Sequence, residues 1–179
     1  MKLAFVTPRY GADLIAGPEH ACRLLAEHIG HRHDVDVLTS CARDSRTWKN
    51  EYPEGPDRVR GVRIRRFPVT ERDPDPAAVS RVASRLLAEP HSRAEELDWV
   101  RRRGPWVPAL IDHLKRQHRS YDALVFFGLN TATNRAASHN STVKPSKSCL
   151  AWAFADSSLG HKSSTRRRIW PLLPIRYAR

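Results

Sequence analysis

The sequence predicts an α/β domain built on a doubly wound parallel sheet. Short apolar runs at Leu3–Thr7, Val35–Thr39 and Tyr121–Phe127 have the unbroken character of strands covered on both faces. Stretches of helical periodicity separate the runs, and alternation of that kind gives parallel strands joined by right-handed crossovers. The 179 residues suit one full domain, at roughly 150 residues each, and leave no room for a second.

Taken in order, the first strand stops at Pro8 and a ten-residue loop follows. Pro18 suits the first turn of a helix, where a missing N–H costs nothing. Ala21, Leu24, Leu25, His28 and Ile29 then recur at helical spacing, while Glu19, Arg23 and Glu27 line what reads as the solvent side. Val35–Thr39 completes a βαβ unit. Residues 40–58 are polar and turn-rich, anchored only by Trp48 and Tyr52, and are expected to be a loop excursion. Val62, Ile64 and Phe67 alternate with Arg63, Arg65 and Arg66, the pattern of a half-exposed strand.

Three helices are expected next. Asp75-Pro76 can cap the first, whose stripe is Val79, Val82, Ala83, Leu86 and Leu87. Ser92-Arg93-Ala94-Glu95 has capping-box spacing and opens the second. Pro105 and Pro108 crowd the first turn of the third, which carries Leu110, Ile111 and Leu114.

Charge divides the chain unevenly. The balance is 31 basic against 19 acidic residues, yet Asp156 is the only acid after Phe127. Three cysteines, Cys22, Cys41 and Cys149, do not make a disulfide framework and suit a reducing cytoplasm. The longest apolar runs fall far short of the ~18 residues that span a bilayer, and the start lacks the apolar core of a signal peptide. A cytoplasmic protein is expected.

Ligands of such sheets sit beyond the carboxyl ends of the strands, which directs attention to the loop from Pro8 to Gly17. A helix N-terminus favours phosphate there, and a glycine lets a ligand approach the backbone. The G-x-G-x-x-G fingerprint is missing and so is the G-x-x-x-x-G-K-[ST] loop, which argues against a dehydrogenase or a P-loop NTPase.

The opening strand with Pro8-Arg9-Tyr10-Gly11, the segment Ala16-Gly17-Pro18-Glu19-His20, the strand His33–Thr39, the Trp48–Tyr52 loop and the Gly61–Pro68 strand together resemble the N-terminal domain of family-four glycosyltransferases, over residues 1–127. The resemblance implies an incomplete Rossmann-like sheet, the N-terminal half of a B-type fold. It also implies a retaining transfer of a hexose from a nucleotide sugar to a glycan or lipid-linked acceptor, with no cofactor and no metal. Gly17 would belong to the loop that meets the donor's diphosphate, and Arg9, Tyr10, Glu19 and His20 would lie on the acceptor side. The family pattern has a Gly-Gly pair, of which Ala16 replaces the first. The nucleotide-binding domain and its E-x7-E carboxylates have no counterpart here, so no catalytic residue is assigned and the chain is expected to be inactive alone.

Other patterns read more plainly as surface chemistry. Glu19 and Glu27 have E-x7-E spacing, but Arg23 between them marks a solvent-facing ion-pair stripe. Asp34-Val35-Asp36 matches a metal-holding D-x-D at the wrong end of the sheet. His28, His31 and His33 fit a solvated helix end better than a zinc site. The arginine stripes at 58–66 and 101–103 could meet phosphate, including that of a lipid-linked acceptor in a peripheral membrane contact, or else form a solvated face.

After Phe127 apolar periodicity fades, and residues 128–179 read as an irregular basic tail. A real basic extension and out-of-frame translation both explain such a tail, and the second is the expectation, because the first would leave a core strand unfinished. His139 inherits no role, and Trp152 and Trp170 are expected in solvent. The rival function is a small nucleic-acid-binding protein using Arg166-Arg167-Arg168, although no specific nucleic acid is expected.

Overall fold

The computed structural model describes residues 1–15, 17–70, 75–128, 131–138, 143 and 148–152, the last group as backbone. Ala16, His139, Arg166–Arg168, Trp170 and the side chain of Trp152 lie outside the described residues. The chain runs β1 (Lys2–Val6), α1 (Gly17–Ile29), β2 (Asp34–Ser40), β3 (Gly55–Val59), β4 (Val62–Phe67), α2 (Pro76–Ala88), α3 (Arg93–Arg103) and α4 (Pro108–Gln117). A 3-10 turn at His118–Ser120, β5 (Ala123–Phe127), α5 (Ala132–Ser138) and β6 (Ser148–Trp152) complete it. One sheet holds the strands in the order β3-β4-β2-β1-β5-β6. Among the described strands β3 pairs antiparallel with β4, while β1, β2, β4, β5 and β6 run parallel. The α/β class expected from the sequence is therefore present.

Both faces of the sheet are covered. Ala4, Val6, Leu38, Leu124 and Phe126 meet α4 through Leu110, Ile111 and Leu114. Leu3, Phe5, Val37, Val125 and Phe127 alternate onto the other face and meet α1 at Cys22 and Ala26. The helix starts follow their sequence signals: Asp75 accepts from the Ala77 and Ala78 amides, Ser92 and Glu95 close a capping box, and Pro108 opens α4. No helix among the described residues is long and apolar enough to cross a membrane.

Three expectations need correction. Residues 40–58 are not all loop, because β3 forms a hairpin with β4. Its turn places Arg60 and Gly61 at φ 49° and 82°, the geometry of a two-residue hairpin loop that arginine rarely announces.

The segment after Phe127 is not irregular from its start. There α5 packs beside β5, Thr131, Ala132, Thr133, Asn134, Ala137 and Val143 are buried, and β6 pairs with β5 along the full register from Ala123↔Ser148 to Phe127↔Trp152. Ala132, Thr133, Ala136 and Ala137 are small enough to let α5 lie close without an apolar stripe, which is why periodicity does not reveal it. With β6 in place, β5 is an interior strand and the core strand is not left unfinished.

Helix α1 is turned relative to expectation. It buries Glu19, Cys22, Arg23 and Ala26, while Leu24 and Leu25 stand 51% and 36% exposed. Positions 19, 22, 23 and 26 also form a helical stripe. Cys22 and Ala26 are narrow enough to seat the helix on the sheet, and the flanking charges are held by partners: Glu19 by Arg9 and Arg23 by Glu27.

Candidate functional site

The strand order reverses between β1 and β5: from β1 the chain goes to β2 on one side, from β5 to β6 on the other. A ligand crevice is expected at the carboxyl ends of these two strands. Two glycines mark its walls. Gly17 begins α1 at φ 72°, and a methyl group added there would find only Glu19 Oε2, at 3.2 Å. The backbone is otherwise open on that side. Gly128 ends β5 at φ 72°, and a methyl group there would touch Pro8 and Pro18 at 3.4 and 3.5 Å. Left-handed backbone makes both positions costly for other residues.

Beneath Gly128, Thr131 holds the turn into α5 by donating its hydroxyl to the Gly128 carbonyl at 3.0 Å. Asn134 donates to the Phe127 carbonyl at 2.5 Å. Across the crevice, the Ser40 hydroxyl donates to the Pro8 carbonyl at 2.6 Å and accepts from the Ala42 amide at 3.1 Å, which fixes the first loop against the end of β2.

Arg9 and Glu19 supply the electrostatics. Arg9 donates through Nε and Nη2 to Glu19 Oε1 at 3.1 and 3.0 Å, and through Nη1 to the Arg43 carbonyl at 3.2 Å. Arg43 in turn grips Asp13 at 2.7 and 3.1 Å, which holds that carboxyl below the usual carboxylate range. Tyr52 sits 3.5 Å from the same carboxylate, and any side chain at Gly11 would strike the Tyr52 hydroxyl. The loop from β1 is thus bound to the loop from β2 by a chain of charged contacts. Glu19 places a carboxylate at the positive end of α1, where the helix dipole favours it.

The expected site residues separate accordingly. Arg9, Gly17 and Glu19 come together at the crevice, and His20 sits half-buried on the same first turn. Tyr10 does not join them. Its ring is fully buried beneath α1, its phenol is pushed up by burial and lies near Cys22 and Glu27, and only its carbonyl is used, accepting from Arg66 at 2.9 Å. It is a core residue. Gly128, Thr131, Asn134, Asp13 and Arg43 were not singled out from the sequence. The signal available in the sequence is a glycine and a hydroxyl residue, Gly128 and Thr131, directly after the apolar run Tyr121–Phe127.

The competing patterns also find their places. Asp34 and Asp36 both receive Arg63, the latter at 2.7 Å, at the amino ends of the strands. Glu19 and Glu27 are each committed to arginine, Glu19 buried and Glu27 half-buried, so they do not form a solvent-facing stripe. His28, His31 and His33 line an open cleft of about 400 Å³ with Ile29 and Arg32. Among the described residues no three potential ligands are placed to hold a metal.

Comparison with protein-family models, curated proteins and solved structures finds no match.

Proposed function

We propose that this chain is the acceptor-side domain of a retaining, B-type glycosyltransferase that moves a hexose from a nucleotide sugar to a glycan or lipid-linked acceptor. The observation that supports this most is Gly17: left-handed, at the start of the helix after the first strand, and open to solvent beside the strand-order reversal. A diphosphate could approach its backbone there to a distance that any side chain would prevent. Arg9 offsets the charge of Glu19 at the same rim, and since Nη1 and Nη2 each spend one N–H on the protein, the second N–H of each is left to donate to a phosphate or to a carboxylate-bearing glycan. Stabilisation of the leaving phosphate requires preorganised donors, which this reading assigns to a separate nucleotide-binding domain.

Ligand-observed NMR with the purified chain tests the reading. A panel of nucleotide sugars, oligosaccharides and short polyprenyl-phosphate sugars should contain at least one binder that is lost in Gly17→Asn. Absence of any binder, or a binder indifferent to that substitution, contradicts it.

A further inference from the structure

Helix α1 leaves an apolar stripe outside the core. Leu24 and Leu25 stand 51% and 36% exposed. Ile29, one turn beyond Leu25, is half-buried. The stripe runs into the open cleft of about 400 Å³ that His28, Ile29, His31, Arg32 and His33 line where α1 gives way to β2. The four basic residues of the cleft are exposed, and their side chains have no hydrogen-bond or ionic partner among the described residues. The neighbouring acids are already taken: Glu27 lies 3.5 and 4.0 Å from Arg23 and Arg60, and Asp34 is held by Arg63. Apolar side chains and unmatched donors thus share one surface, at the opposite end of the sheet from the crevice.

We propose that this surface docks an acidic amphipathic segment of a partner protein, whose apolar side chains cover Leu24 and Leu25 and whose carboxylates enter the histidine cleft. Arg32 brings a fixed charge and a fork of donors, and each imidazole offers an N–H in either protonation state, so a carboxylate finds several donors on the cleft walls. Charge selects the occupant. A second copy of this chain, meeting the surface with its own, would set unmatched basic groups against one another. The residues after Phe127 are a poor match, since Asp156 is their only acid. A bilayer takes up protruding apolar side chains, whereas these basic groups surround a concave cleft, which suits the side chains of a peptide segment. The surface uses no crevice residue, so the proposal does not depend on the glycosyltransferase reading.

The test maps backbone amide shifts of the full chain on titration with a synthetic leucine–glutamate peptide of helical amphipathic spacing. The same peptide with lysine in place of glutamate is the control, and vesicles of phosphatidylglycerol and a single-stranded oligonucleotide form separate arms. The leucine–glutamate peptide should shift the amides of Leu24, Leu25, His28 and His31–His33 saturably, and less so at high salt, while the lysine peptide should not. Leu24→Gln and Arg32→Glu, both at exposed positions, should each weaken binding about tenfold, the first through lost apolar burial and the second through repulsion. Binding that ignores either substitution, equal binding of the lysine peptide, or shifts confined to other parts of the chain would overturn the proposal. So would failure of the leucine–glutamate peptide to bind, and a response to the vesicles or the oligonucleotide in its place would assign the surface to a membrane or to nucleic acid instead.

Discussion

Arg9 meets Glu19 side-on, with Nε and Nη2 both directed to the same carboxylate oxygen, and the pair joins the end of the first strand to the start of α1. Nine residues lie between them, the last two already in α1, so this contact fixes the shape of the crevice wall. The Glu19 side chain is 9% exposed, too little for water to stand in for the arginine.

Removing Arg9 should therefore cost more than an ordinary surface ion pair. Arg9→Met leaves a buried carboxylate unmatched and should destabilise the chain by roughly 3 kcal/mol, most of it recovered when Glu19→Gln is added. Urea unfolding of the single and double variants gives the comparison. Equal losses in the two would show that the pair does not act as a unit.

The turned helix makes an inverted prediction. Leu24→Gln should change stability by no more than about 0.5 kcal/mol, as an exposed substitution does. Ala26→Leu, at a position with no exposure, should cost about 1–3 kcal/mol through overpacking. Thermal unfolding distinguishes the two, and the reverse order would place the leucines against the sheet.

Gly128→Ala should cost about 1–2 kcal/mol, because its φ of 72° is strained for any side chain while the added methyl group meets Pro8 only at ordinary contact distance. Gly17→Ala should show a similar loss. Gly17→Asn separates backbone from binding: asparagine tolerates the left-handed region, so stability is largely kept, while its side chain fills the open space and should remove ligand binding. Calorimetry combined with the NMR screen reads both effects.

Two histidines should give opposite pH dependences. His113 is held below its ordinary value, chiefly by burial, so the unfolded chain takes up its proton first. Its contribution to stability is present above the ordinary value of 6.5 and is lost as pH falls toward the depressed one. His91 is raised by the Glu89 carbonyl and by Glu96, so its contribution is present at low pH and lost as pH rises through the raised value. Unfolding temperatures from about pH 5 to 8 should show His113→Gln gaining relative to the parent at the acid end, and His91→Gln losing there.

The sheet was legible wherever a strand is apolar on both faces or a cap is spelled out, as at Phe5, Phe126, Asp75 and Ser92. What failed had a common cause: partners distant in sequence. The burial of Arg23 and Glu19 depends on Glu27 and Arg9, and no periodicity rule sees that Leu24 loses the competition. The α5 helix is built from small residues whose packing value exists only beside β5. At the crevice, Arg9, Gly17 and Glu19 could be found because they share one short loop. Tyr10 shares that loop too, yet its burial follows from the turn of the backbone. Gly128 and Thr131 enter through a sheet order that places β5 beside β1.

Mapping backbone amide shifts of the chain on addition of a nucleotide-diphosphate sugar tests the central claim most directly. The account predicts the largest changes at Gly17, Glu19, His20 and Gly128, with smaller ones at Thr131, and their disappearance in Gly17→Asn. Changes confined to the cleft of His28, His31 and His33, or the same changes undiminished in Gly17→Asn, would contradict it.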